Sequence, residues 1–160
     1  MSGLSTKLLD EKQLDVVVSR LKKEGTKIVF TNGCFDIIHV GHIRCLKEAR
    51  ELGDVLIVGL NSDTSTRMIK GEHRPVIPEH ERAEILAAIE YVDYVTLFSD
   101  KTPYELIKRI LPDVLVKGGD WPVDEIVGKD IVEKNGGKVV SVPFHTGSSS
   151  TSIIKTIKKL

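Results

Sequence analysis

Two cysteines in 160 residues, Cys34 and Cys45, are too few to staple a secreted fold. A chain long enough to bury about two-thirds of its unfolded surface needs no staple. Reduced thiols in a cytoplasm are the expectation. No apolar run approaches the ~20 residues of a membrane span, and the opening Met1-Ser2-Gly3-Leu4 lacks the basic and apolar regions of a secretory leader. No membrane partner is therefore expected. An excess of one charge is missing too, since Lys and Arg total 23 and Asp and Glu total 23. A nucleic-acid binder usually carries a basic excess, so no nucleic-acid partner is expected. Any anionic ligand must be held by a few placed groups. Two familiar phosphate fingerprints are also absent: neither GxxxxGK followed by Ser or Thr nor GxGxxG occurs.

What is present is alternation. Apolar runs at 27–31, 54–60, 94–98, 113–117 and 138–142 are rich in β-formers on nearly every position, the pattern of strands covered on both faces. Amphipathic stretches near 10–24, 41–52, 79–90, 103–111, 128–135 and 151–160 predict helices between and around them. Pro103 behind Thr102 fits a first helical turn, and Gly25 and Gly136 fit helix stops. No repeat or low-complexity tract interrupts the series. Right-handed βαβ units follow, and with them an α/β, doubly wound, Rossmann-like domain with a mainly parallel five-stranded sheet. The whole of 1–160 is read as one domain: an N-terminal helix to 26, a core over 27–154, and the end of a C-terminal helix at 155–160. In such sheets ligands sit beyond the carboxyl ends of the strands, which directs attention to the loops after Thr31, Leu60, Phe98, Lys117 and Val142.

After the first of these strands comes Asn32-Gly33-Cys34-Phe35-Asp36-Ile37-Ile38-His39-Val40-Gly41-His42. Gly41 permits close approach to the backbone, and a helix start is a ready anion site. Two imidazoles there can donate hydrogen bonds to a phosphoryl group whose charge grows in the transition state. A zinc site is the competing reading, because Cys34, His39, His42 and Cys45 fall within twelve residues. No CxxC pair supports it. Cys34 lacks a partnered base, so a nucleophilic role is not indicated. Asp36 fits a turn cap and a ligand contact equally well.

The set Asn32-Gly33-Cys34-Phe35-Asp36 with His39-x-Gly41-His42 resembles the HxGH nucleotidyltransferase superfamily. Four further segments bring the resemblance close to its ADP-heptose-forming adenylyltransferases: Gly59 to Asp63, Lys70-Gly71 with Arg74-Pro75, Val116 to Asp120, and Gly147 with the hydroxyl run to Ile154. The resemblance covers about residues 27–154. It implies transfer of AMP from ATP to D-glycero-β-D-manno-heptose 1-phosphate, with release of pyrophosphate. The kinase domain often fused upstream in that family does not precede these segments, so a stand-alone transferase is the expectation. Transfer to FMN, glycerol 3-phosphate or phosphopantetheine is the alternative. Relatives that use CTP place an arginine three residues before the last glycine, where this chain has Phe144; the adenylyl reading is favoured accordingly.

The resemblance also implies roles. His39, His42 and Lys70 are the catalytic residues. ATP falls to Thr31, Asn32, Gly33, Cys34, Phe35, Gly41, Lys117, Gly118, Asp120, Gly147, Ser149, Ser150 and Thr151. The acceptor falls to Asp36, Asn61, Asp63, Arg74, Arg82 and Trp121. For Asp120 an ordinary turn-capping role is equally open, and the hydroxyls at 148–152 fit a helix cap as well as a phosphate cradle. The segment 69–78, rich in Gly, Pro and charge, reads as a solvated and mobile connection. Mg2+, held mainly by phosphates and water, is the implied cofactor, no protein metal ligand is expected, and a homodimer is the implied assembly.

Overall fold

The computed structural model describes residues 6–119, 121–143, 147 and 149–160. Its strands are β1 (Leu8–Leu9), β2 (Ile28–Gly33), β3 (Val55–Asn61), β4 (Tyr94–Phe98), β5 (Val114–Gly118) and β6 (Lys138–Val142). Its helices are α1 (Glu11–Lys23), α2 (Val40–Arg50), α3 (Asp63–Lys70), α4 (Glu79–Ala87), α5 (Tyr104–Ile110), α6 (Lys129–Lys134) and α7 (Ser150–Ile157), with a 3-10 turn at Val123–Glu125. All pairings are parallel, in the order β1-β4-β3-β2-β5-β6.

The doubly wound α/β architecture is as the alternation predicts, with two differences. The sheet has six strands where five were expected. The extra one, β1, is two residues long and pairs only with the β4 edge, Leu8 beside Val95 and Leu9 beside Thr96. Two residues are too short for any periodic signal. Helix α3 was also not foreseen. Its sequence, Asp-Thr-Ser-Thr-Arg-Met-Ile-Lys, is poor in strong helix formers. Ser62 caps it locally, its hydroxyl accepting from the Ser65 amide at 3.2 Å, and tertiary bonds add what propensity does not: the Ser62 amide and the Ser65 hydroxyl donate to the Phe98 carbonyl at 2.9 and 3.4 Å.

Alternation along the strands feeds two apolar layers. Val29, Leu56, Val58, Val95, Val114 and Val116 face α2 and α4, among Leu46, Ala49 and Leu86. Ile28, Phe30, Ile57 and Leu115 face the other way, among Leu14, Val18 and Leu21 of α1, Ile107 and Ile110 of α5, and Val132 of α6. At Gly59 the layers leave no space: an added Cβ would stand 2.7 Å from the Phe30 ring. The chain steps from β2 outward to β3 and β4, then returns across the sheet to β5 on the other flank of β2. The winding therefore reverses between β2 and β5, and a crevice opens beyond their carboxyl ends. Among the described residues no helix is long and apolar enough to cross a membrane.

Candidate active site

Strand β2 ends at Gly33, and the chain turns sharply. Phe35 adopts a positive φ of 44°, a conformation that L-residues with side chains adopt at a cost of roughly 1–2 kcal/mol. Its ring packs against His42 with centroids 5.3 Å apart. His39 then caps α2. Its Nδ1 accepts from the Gly41 amide at 3.1 Å, and the Nδ1 of His42 accepts from the His39 amide at 3.3 Å. The pair forms a reciprocal capping box built from imidazoles. A ring nitrogen that accepts a hydrogen bond carries no proton, so each neutral ring holds its proton on Nε2. Burial keeps both rings neutral: it lowers the His39 pKa, and for His42, with the neighbouring His39 adding to it, the value falls to about 4. The rings lie 4.0 Å apart, tilted by 34°. Two Nε2–H donors thus stand side by side at the head of a helix. The Gly41 amide, which the sequence offered as an anion donor, is instead committed to the His39 ring.

Asp36 is buried at 2% exposure and accepts from the Val76 amide at 2.8 Å, from the Ile77 amide at 2.9 Å and from Arg74 Nε. Those bonds outweigh the burial that would otherwise raise its pKa and hold the carboxyl below the usual carboxylate range. These partners lie 38 to 41 residues on, so Asp36 bonds a distant segment and not its own turn. It fastens 74–77, so the second half of the connection expected to be mobile is tied to the β2 turn. Arg82 was expected to face the cleft. It is fully buried instead, bonding the carbonyls of Cys34, Asn61 and Ile77 and the carboxylate of Asp63. Asn61 is buried too, its amide donating to Ser65 Oγ at 3.2 Å. Asp63 opens α3 and receives Arg82, while its own amide donates to Glu79 at 2.7 Å. Glu79 was not singled out from the sequence. Its position in the first turn after Pro78 is ordinary for an acid, and nothing local distinguishes it.

Lys70 closes α3 and is exposed. Lys117, at the end of β5, is half-buried, with its amine 5.5 Å from the centre of the Trp121 ring. Burial lowers its pKa, and Lys70 lies close enough to push the same way, against the pull of Cys34 and Cys45. Gly118 ends β5, and Gly119 turns at φ 109° with its amide on the Val142 carbonyl at 2.7 Å. Trp121 is 49% exposed. Asp120 lies outside the described residues. Beyond β6, Gly147 has φ 112°, Ser149 caps α7 reciprocally with Ser152, and the Ser150 hydroxyl donates to the Ile37 carbonyl at 3.0 Å. Thr151 is exposed in the first turn of α7.

Parallel register explains the convergence. Thr31 pairs with Val116, Asn32 with Gly59 and Gly33 with Leu60, so the β2, β3 and β5 ends carry their loops to one rim. Thr31 itself is buried, and Asn32, Gly33 and Cys34 are half-buried there. Among the described residues no three His, Cys, Asp or Glu side chains are grouped to hold a metal. Cys45 lies buried, its thiol pushed up to about 11.

Comparison with known proteins finds similarity along most of the chain. The cytidylyltransferase-like family model matches residues 30–157. The bifunctional protein HldE of Citrifermentans bemidjiense is 51% identical over 149 residues, covering 91% of this chain and 31% of that protein. HldE of Geobacter metallireducens is 54% identical over 141 residues, covering 88% and 29%. The chain thus spans about a third of the length of these relatives. Among solved structures, the lipopolysaccharide core biosynthesis protein from Thermoplasma volcanium superposes with a TM-score of 0.63 at 31% identity, over 78% of this chain and all of that one. Pantoate-beta-alanine ligase from Francisella tularensis, at 19% identity and a TM-score of 0.65 over 94% of this chain and 76% of its own, shares the fold.

Proposed function

The chain belongs to the cytidylyltransferase-like family of nucleotidyltransferases, and from that premise we propose that it transfers AMP from ATP to a sugar 1-phosphate and releases pyrophosphate. The acceptor proposed is D-glycero-β-D-manno-heptose 1-phosphate. The observation that carries the reading is the histidine capping box, which leaves two neutral imidazoles with Nε2–H donors side by side at the reversal of the sheet. A phosphate oxygen of the acceptor attacks the α-phosphorus in line, and the bond to the pyrophosphate oxygen breaks. Charge accumulates on the α-phosphoryl oxygens, where His39 and His42 donate. Neutral donors suit this step because they neither lose a proton to the phosphate nor require one. Lys70 is an exposed point charge on a flexible stem, fit to follow the β- and γ-phosphates. Thr151, exposed in the first turn of α7, is proposed to offer its hydroxyl to the phosphates with Ser149, whose hydroxyl also caps the helix, while that of Ser150 holds Ile37.

Magnesium is proposed to enter with the nucleotide. Asp36 and Asp63 are occupied by Arg74 and Arg82, so the described carboxylates nearest the histidines form no cage. Mg2+ usually keeps phosphate oxygens and water as ligands. When bound it neutralises charge on the phosphates.

Pyrophosphate release tests the reading, measured with ATP and CTP against heptose 1-phosphate, glycerol 3-phosphate, FMN and phosphopantetheine. The expected outcome is the highest kcat/KM for ATP with the sugar 1-phosphate. Preference for CTP, or for one of the other acceptors, overturns the assignment.

A further inference from the structure

We propose that Arg82 is a positioning residue for nucleotidyl transfer: its buried guanidinium fixes the turn bearing the histidine pair relative to the helix bearing Lys70. This rests on the roles proposed above for His39, His42 and Lys70. It adds a residue that touches none of the reacting atoms.

Arg82 comes from the first turn of α4 and has no solvent exposure. Its donors reach four residues on three stretches of chain. One terminal nitrogen donates to the carbonyls of Cys34 at 2.6 Å and Asn61 at 2.8 Å. Nε donates to the Ile77 carbonyl at 2.8 Å, and the second terminal nitrogen to Asp63 Oδ1 at 2.7 Å. Cys34 is the first residue beyond β2, five before His39. Asn61 ends β3 and Asp63 opens α3. Lys70 closes that helix, about 10 Å further along its axis.

A guanidinium is a rigid planar fork. Four bonds from one plane fix the directions of the β2 exit, the β3 exit, the start of α3 and the 71–78 connection together. Two neighbouring contacts close the same group from either side. The Asp63 amide donates to Glu79 at 2.7 Å, and Asp36 accepts from Val76, Ile77 and Arg74. Among the described residues Asp63 alone forms an ion pair with Arg82, so the buried guanidinium is neutralised by one partner. The separation between the turn that bears the imidazole donors and the helix that bears Lys70 is therefore set through Arg82. A lysine at this position keeps the charge but cannot bridge the same acceptors.

A merely structural arginine predicts lost stability with unchanged chemistry in each folded molecule. A positioning arginine predicts that the contribution of Lys70 depends on it. The test is a double-mutant cycle on the full chain with Arg82→Lys, Lys70→Ala and their combination, with Asp63→Asn as the gentler variant should Arg82→Lys not fold. ATP with Mg2+ is titrated by calorimetry, and pyrophosphate release gives kcat and KM per folded molecule. Expected are a 10- to 100-fold fall in kcat/KM for Arg82→Lys, a smaller fall for Asp63→Asn, and a Lys70→Ala effect that shrinks below about threefold in either background. Single effects that multiply to within about twofold overturn the proposal, as does full activity in both Arg82→Lys and Asp63→Asn. Should the wild-type chain release no pyrophosphate with any pair tried, the functional reading fails, and the cycle on ATP affinity alone decides the role of Arg82. Should the wild type also not bind ATP, both fall.

Discussion

At the scale of single residues, the histidine pair joins a structural task to a chemical one. Each Nδ1 is committed to a backbone amide, and that commitment places each proton on Nε2, where an anion can use it. Protonating His42 destroys its half of the cap, and burial resists this, taking its pKa from the usual 6.5 to about 4. The sign of the linkage follows. Between those values the unfolded chain binds a proton that the folded chain refuses, so acid favours unfolding there. Above pH 6.5 both states are neutral and His42 contributes no slope. Folding stability is therefore expected to fall by up to about 1.4 kcal/mol per pH unit as pH drops from 6.5 towards 4. His39, shifted in the same direction, adds with the same sign. Urea midpoints at pH 7.5, 6 and 5 measure it, and His42→Gln is expected to flatten the slope in its share. In turnover, His42→Ala removes one placed donor and is expected to cost about 10²–10³ in kcat. A fold loss would show in circular dichroism, and near-full turnover would end the donor role.

At the scale of elements, β2 to β6 were legible because each is a run rich in apolar β-formers, and the loops after them because glycines and histidines cluster where a parallel sheet puts ligands. Aspartates just before three strands were legible only as residues. Asp54, Asp93 and Asp113 each accept from an amide at or next to the start of the neighbouring strand, Lys27, Leu56 and Ile28 in turn, at 2.7–2.8 Å. They lock the amino ends of the sheet, opposite the site. The Leu56 amide belongs to a fully buried residue, so losing its acceptor carries the cost of an unsatisfied donor, about 1–3 kcal/mol. Asp93→Ala, which also frees Arg50 from a 2.9 Å ion pair, is expected to lose about 2 kcal/mol in a denaturant titration. Asp93→Asn keeps a carbonyl oxygen and is expected to lose under about 1 kcal/mol. Turnover per folded molecule should be unchanged in both. What the sequence hid was long-range burial of charge. Asp36 meets its partners 38 to 41 residues on, and Arg82 reaches back 48 residues to Cys34. No local pattern distinguishes such residues from a solvated pair, since burial depends on what the rest of the chain brings. Helix α3 escaped for a related reason: its cap is local, but the Phe98 carbonyl that holds Ser62 and Ser65 comes from the end of β4.

At the scale of the whole molecule, the neutral charge balance leaves any anionic ligand to local groups, and one parallel sheet joins all six strands. Strand β2 feeds both apolar layers, Val29 on one face and Ile28 and Phe30 on the other. The N-terminal helix is no appendage: Leu14, Val18 and Leu21 lie in the second layer. Each such side chain contributes about 1.5–3 kcal/mol on burial, against little from the exposed pairing of Arg109 with Glu11 and Asp15. We therefore propose a single cooperative unit, and its unfolding should be two-state. The lone tryptophan makes this testable from two places at once. Trp121 stands on the rim beside Lys117 and reports the site, while far-UV dichroism reports the helices. Their thermal transitions are expected to coincide. ATP with Mg2+ at a hundred times its Kd should raise stability by about 2.7 kcal/mol, moving both curves together by roughly 5–10 °C. If the tryptophan signal melts first, the β5 rim opens as a separate unit, and the nucleotide then moves that curve alone.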